Sequence, residues 1–319
     1  ILNKSVKPLT NTLISTAAFM LLCFLFPLAV FSQDMPGQEI VVTEWGVVFF
    51  SLTGELTAVG TPGSAADIGG PDHNWEGTAR APVIYFNGPE FSGTVRVTAN
   101  GSIFEVHPPP QIYKNSPDIV EWHGRFTYDN SQLPRPPQSE HLPAGYQLWR
   151  DGQSMIVHLD NNYRESFLYY EVMPYDLKNI PVFLRAGIPD QYEDIPAVAV
   201  MAGSWQGNHW EQLMISGRLG DIAAASDRKV APLDGKKLRL HLEEWAETCL
   251  TAQQFEAFWA TWKEWLLYDY LDQADYSNGY VLYLLPAEQT EIISQIEIIQ
   301  EETDYPVRLQ RWLLIAAPW

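Results

Sequence analysis

Two short stretches of this 319-residue chain set a carboxylate and an imidazole two residues apart: Glu105 and His107 in FEVHPPP, and Glu121 and His123 in VEWHG. On a β-strand, residues i and i+2 project from the same face, so each pair presents one oxygen and one nitrogen ligand together. Brought onto neighbouring strands, Glu105, His107, Glu121 and His123 would make an imidazole–carboxylate site of the kind that holds a divalent metal. Outward-facing His and Glu are also ordinary residues of a solvated strand, so no cofactor is expected and a divalent metal is the alternative. His141 and His209 are weaker candidates, and His241, in a helical stretch, reads as a surface or boundary residue.

A second chemistry would use carboxylates alone. Glu44, Glu121, Glu165 and Glu171 lie in or beside apolar strands, where burial raises a carboxyl pKa as an acid catalyst requires, and glycoside hydrolysis needs two carboxylates flanking the bond. An arginine or a backbone donor would satisfy the same burial, which makes structural carboxylates the expectation. Ser226 to Lys229, SDRK, has the serine–lysine spacing of penicillin-recognising enzymes without their companion motifs. There is no Gly-x-Ser-x-Gly elbow, phosphate-binding glycine loop, dinucleotide fingerprint or His-Glu-x-x-His.

Twelve tryptophans suggest binding instead, because a flat aromatic face with a polar edge can stack on a sugar ring. Trp259 and Trp262 fall on a helical stripe and Trp312 in a terminal strand, so these read as core. Trp45, Trp75, Trp122, Trp149, Trp205 and Trp210 remain, and with Glu44 the set Trp45, Trp75 and Trp122 forms the candidate ligand surface.

The elements that must position these residues are strands first. From Ile40 to about Met214, short apolar or alternating runs are broken by Gly, Pro, Asn and Asp, the pattern of antiparallel sheets. Strands are expected at 41–51, 81–86, 118–127, 154–159, 166–172, 197–203 and 210–216. In TVRVTANGSIFEV, Asn100-Gly101 is the preferred pair for a two-residue type I′ turn, which would set Val97 opposite Phe104 and Arg96 opposite Glu105. The stretch from Gly60 to Pro82 is too rich in Gly and Pro for regular structure and reads as a long functional loop.

After Asp234 the period changes. Phe255, Phe258, Trp259, Trp262 and Leu266 lie on one helical stripe, and that helix has a readable start in Thr251 as N-cap, Gln254 closing a capping box and Leu250 able to staple onto Phe255. A strand GYVLYLLP, a short helix near Ala287–Ser294 and a final strand VRLQRWLLIA follow. The expected fold is therefore mainly β: an antiparallel β-sandwich over 33–216, then a smaller α+β portion over 217–319 with a helical hairpin.

Residues 1–32 carry Lys4 and Lys7, no acid, an apolar run and Val30-Phe31-Ser32, and read as a signal peptide cleaved before Gln33. The protein is then expected to be extracytoplasmic, periplasmic or secreted, touching a membrane only through that segment if it is not cleaved. The loss removes two of 20 cations and none of 39 acids, taking the formal charge from −19 to −21. Nucleic acid is a poor partner for such a surface, since affinity there rests on Lys and Arg at phosphates. The one remaining cysteine, Cys249, can form no internal disulfide and reads as a small buried hydrophobe.

TEWGVVFF, RAPVIYFNGPE, TVRVTANGSIFEVHPPP, ESFLYYEV, LTAQQFEAFWATWKEWLL and GYVLYLLP, in that order, resemble a family of uncharacterised bacterial exported proteins that open on a His-Glu-Trp-Gly-type motif. This chain departs from the motif at Thr43, where the family has His, and at Val47, where it has Thr. The resemblance implies export and no known activity, with Glu44 fixing a strand by accepting buried hydrogen bonds. The functional expectation is a non-catalytic binding or structural module that contacts carbohydrate or an envelope protein, with a metal-assisted or carboxylate-dependent hydrolase as the alternative.

Overall fold

The chain's apolar runs are too many and too short for a single layer, and they collect into two large sheets. A computed structural model describes residues 39–50, 56–59, 82–110, 117–129, 133, 146–174, 188, 190–203, 205–206, 209–210, 212–224, 230–272 and 278–319. The expected signal peptide, the loop 60–80 with Trp75, His141 and the segment 226–229 lie outside them.

Among the described residues the larger sheet has ten strands: β1 (Ile40–Phe50), β2 (Leu56–Val59), β3 (Val83–Asn87), β5 (Gly101–His107), β9 (Leu168–Pro174), β10 (Pro196–Met201), β13 (Leu213–Arg218), β14 (Ala231–Pro232), β15 (Gly279–Leu284) and β17 (Val307–Pro318). The smaller has five: β4 (Phe91–Ala99), β6 (Ile119–Thr127), β7 (Ile156–Leu159), β8 (Arg164–Glu165) and β16 (Ser294–Gln300). A two-stranded ladder joins β11 (Trp205–Gln206) to β12 (His209–Trp210). The helices are α1 (Tyr146–Arg150), α2 (Leu219–Ala223), α3 (Gly235–Ala246), α4 (Ala252–Leu267) and α5 (Ala287–Ile293). Among these residues the fold is mainly β, and no helix is long and apolar enough to cross a membrane.

The central pair is β1 with β17, parallel and in register from Ile40 opposite Val307 to Phe49 opposite Ala316. Both strands are nearly continuous in apolar residues where they are covered on both sides, as parallel strands in a sheet interior must be. The other described strand pairs are antiparallel. The boundary expected between residues 216 and 217 falls inside β13, and β15 and β17 from beyond it lie between β10 and β1 in the large sheet. Gln38–Trp319 forms one compact unit.

Alternation along β1 directs its two faces to different cores. Trp45 and Val47 enter a cluster with Leu238, Leu242, Phe258 and Trp262 of α3 and α4. Ile40 and Val42 enter a second, which takes Val95, Val97, Val120 and Trp122 from the small sheet. Val48 and Phe50 enter a third, covered by Leu219 and Ile222 of α2 and by Ile293.

The ends of α4 follow from local chemistry. Thr251 Oγ1 accepts from the Gln254 backbone N–H at 3.2 Å, and Gln254 Oε1 accepts from the Thr251 N–H at 3.0 Å, the reciprocal box read in the sequence. Along the stripe, Phe255, Phe258, Trp262 and Leu266 are buried and Trp259 is half-buried.

The Asn100-Gly101 pair behaves differently from its expected role. Gly101 already belongs to β5, so Asn100 alone separates two strands that diverge into different sheets. Val97 stands opposite Val120 and Ile296, Arg96 opposite Glu121 and Glu297, and Glu105 opposite Glu171. A turn signal sets a local reversal only. The ladder offered by β6 and β16 on either side of β4 outweighs the local hairpin, because strand stability comes from the whole set of cross-strand neighbours.

Candidate functional site

The ionisable groups concentrate where β5 and β9 pair and α1 covers them. The register places Glu105 opposite Glu171 and His107 opposite Tyr169, so all four share one face of the ladder. α1 lies on that face through Tyr146 and Trp149, both buried. Trp149 stacks on Tyr169 at 5.2 Å and meets Phe167 edge-on at 5.5 Å, and the His107 ring stands 5.2 Å from Tyr146 and 5.8 Å from Phe167. Gly152, just past α1, allows this approach, since a Cβ there would overlap the Tyr85 ring of β3.

Glu165, at the end of β8, is the acceptor at the centre. Its Oε2 takes hydrogen bonds from the Tyr146 hydroxyl at 2.5 Å and from Arg150 Nη2 at 2.7 Å and Nε at 3.1 Å, and its Oε1 from the Ser166 backbone N–H at 3.0 Å. His107 Nε2 lies 3.4 Å from Oε2 and 3.1 Å from the Tyr146 hydroxyl. The side chain of Glu165 is 2% exposed, that of Arg150 10% and that of His107 17%. Burial alone would raise the Glu165 carboxyl, but hydrogen bonds from His107, Arg150, Tyr146 and the Ser166 N–H outweigh it and hold the group below its ordinary value. The Tyr146 hydroxyl moves well above the tyrosine range, through burial first and then through the neighbouring Glu165 charge. Arg150 packs its guanidinium 4.9 Å from the Tyr146 ring centre.

The ionised Glu165 carboxylate lies on the Nε2 side of the His107 ring and orients it. Carboxylates orient imidazoles in this way both at metal ligands and at catalytic bases. The neighbouring hydroxyl is committed elsewhere: Ser166 Oγ donates to the Arg150 carbonyl at 2.9 Å.

The residues expected to act together are separated. Glu105 and His107 are on β5 of the large sheet, whereas Glu121 and His123 are on β6 of the small one. Glu121 accepts from Arg96 Nε at 2.7 Å. His123 bridges Asp160, through Nδ1 at 2.6 Å, and Glu301, through Nε2 at 2.9 Å, so its two carboxylates lie on opposite sides of the ring. No group of three or more His, Cys, Asp and Glu side chains placed to hold a metal occurs among the described residues. The four expected ligands are therefore divided, because the two strands join different sheets: His107 faces Glu165, Glu121 pairs with Arg96, His123 with Asp160 and Glu301, and Glu105 stands opposite Glu171.

Of the candidate ligand surface, Glu44, Trp45 and Trp122 are interior, and Trp75 lies outside the described residues. Trp45 and Trp122 are both 0% exposed. Trp45 is packed edge-on against Trp149 at 5.9 Å and Phe258 at 5.7 Å, and Trp122 donates its indole N–H to the Pro108 carbonyl at 2.7 Å. Faces covered by protein cannot stack on a sugar. Glu44, also 0% exposed, accepts from the Tyr170 hydroxyl at 2.6 Å and is ion-paired with Arg311. Arg311 completes the group by donating to the Ser294 carbonyl and Oγ, each at 2.7 Å.

Sequence reasoning missed Tyr146, Arg150 and Arg311. The first two stand in a one-turn helix with no periodic signal, and Arg311 breaks an apolar strand in the same way that Glu44 breaks β1, which is the one signal that could have paired them. The chain matches no protein-family model, no curated protein and no solved structure.

Proposed function

We propose that this chain is an exported module, periplasmic or secreted, that binds or supports another envelope component and catalyses no reaction. The observation that carries the reading is the condition of three of the four buried glutamates among the described residues. Glu44, Glu121 and Glu165 are each held by an arginine, and Glu44 and Glu165 also by a tyrosine hydroxyl. A carboxylate surrounded by fixed donors anchors the elements that supply them, whereas a general acid or base must reach a substrate proton. The leader-like start and the resemblance to exported proteins support export. An envelope protein suits the surface better than carbohydrate, since the candidate stacking rings Trp45 and Trp122 are covered. We read the two sheets, which share one core, as a β-sandwich, and α3 with α4 as a helical hairpin on the far face of the large sheet.

The alternative, a carboxylate-dependent or metal-assisted hydrolase, is favoured by one feature, the orientation of His107 by Glu165 and Tyr146. Plasma mass spectrometry of the purified protein and of His107→Ala separates the module from the metal-assisted hydrolase, and an assay of glycoside hydrolysis with Glu165→Gln separates it from the carboxylate-dependent one. A metal-free protein whose His107→Ala variant loses only stability supports the module. Stoichiometric metal that disappears in a folded His107→Ala variant would overturn it in favour of the hydrolase.

A further inference from the structure

Between the end of α3 and the start of α4 lies an open groove of about 490 Å³, with Leu250 and Phe255 at its floor and Leu240, Glu243, Glu244 and Glu247 among its walls. Leu240 is the most exposed large hydrophobic side chain among the described residues, at 62%. Volumes of this order accommodate a ligand group or an anchoring side chain, and an apolar floor beside a polar rim is the usual anatomy of a contact surface.

The charges on its rim run against helix electrostatics. The carbonyl end of a helix carries partial negative charge and favours Lys, Arg or His there. α3 has no base in its last turn; Glu243 and Glu244 stand there, and Glu247 is the residue that ends it. Glu243 lies 4.0 Å from Arg239, which is also bonded to Glu256, while Glu244 and Glu247 have no ion-pair partner among the described residues. The amino end of α4 brings its partial positive charge to the same groove but no side-chain cation. Local rules broken without a compensating contact inside the fold mark surfaces selected for something outside it. Arg239 shows what fits: its guanidinium lies 5.6 Å from the centre of the Phe255 ring and 5.9 Å from that of Trp259, so this edge already accepts a cation over an aromatic face.

We infer that the α3–α4 groove docks a cationic segment of a partner protein, an apolar side chain seated on Leu250 and Phe255 with flanking Arg or Lys groups set against Glu244 and Glu247. This rests on the binding-module reading and names the partner's chemistry.

The test is calorimetric titration with a short peptide in which arginines flank a central leucine, beside a matched peptide carrying glutamates in their place. Saturable binding of the arginine peptide alone is expected, weakened about tenfold in the Glu244→Lys, Glu247→Lys double variant and reduced in Leu240→Ser. The double variant should melt at the same or a higher temperature, because cations suit that helix end, so lost binding cannot be mistaken for lost folding. Equal affinity in the double variant, equal binding of the glutamate peptide, or no saturable binding would each overturn the proposal. None of these outcomes bears on metal content or on His107→Ala, so the groove and the non-catalytic reading fail separately.

Discussion

Glu44 and Arg311, 267 residues apart in the chain, stand opposite each other at one level of the parallel β1–β17 ladder, and their ion pair occupies the seam between two apolar clusters on the same face of the large sheet. Ile40 and Val42 lie to one side of Glu44 along β1, and Val48 and Phe50 to the other. Burial disfavours the charge on Arg311, yet the adjoining Glu44 charge raises its pKa. The carboxylate's remaining demand is met by Tyr170, and the guanidinium's by Ser294, at the junction of α5 and β16, and by Glu291 of α5. The pair therefore ties the large sheet to the first residue of β16, the edge strand of the small one.

Removing one partner should expose the cost of the other. Arg311→Met leaves Glu44 buried and uncompensated, and a loss of about 3–5 kcal/mol is expected in chemical denaturation. The Glu44→Leu, Arg311→Met double variant should recover most of that loss, because well-packed apolar residues often match a buried ion pair. A double variant as unstable as the single would show that the Tyr170 and Ser294 hydrogen bonds hold the seam instead.

Glu165 predicts acid sensitivity. Its folded pKa is depressed below the ordinary carboxylate value, so its contribution is fully present above an unfolded pKa of about 4.3 and is lost as pH falls through the lower folded value. Urea midpoints measured from neutral pH down to about pH 3 should fall more steeply in the wild type than in Glu165→Gln. That variant should also cost about 3–5 kcal/mol at neutral pH, since it leaves Arg150 buried without its anion. Parallel pH profiles for the two proteins would refute the assignment.

His123 predicts the opposite sign. Hydrogen bonds to Glu301 and then Asp160 raise its pKa above the ordinary histidine value, so its contribution is complete below about pH 6.5 and declines as pH rises through the folded value. The bridge ties β6 to Asp160, after β7, and to Glu301, after β16. It is partly exposed, so the effect is small and screened by salt. Melting temperature should drop on going from about pH 6 to about pH 8.5 in the wild type, and less so in His123→Asn. An equal drop in the variant would place the pH dependence elsewhere.

What the sequence determined by itself is the set of features whose causes lie within a few residues. The Thr251–Gln254 box, the buried stripe of α4, and β1, β6, β10 and β15 were all legible, because capping and alternation are local. The carboxylate in the middle of β1 was legible as an anomaly, but its partner was not. Tertiary structure alone decided that Glu44 meets Arg311, that Asn100 is a corner between sheets, that the two Glu-x-His pairs part company, and that His107 and Arg150 each meet Glu165. Each of these depends on which distant strand supplies the longer ladder and the better apolar cover. That competition is settled over the whole chain, and spacing within any one segment carries no record of it.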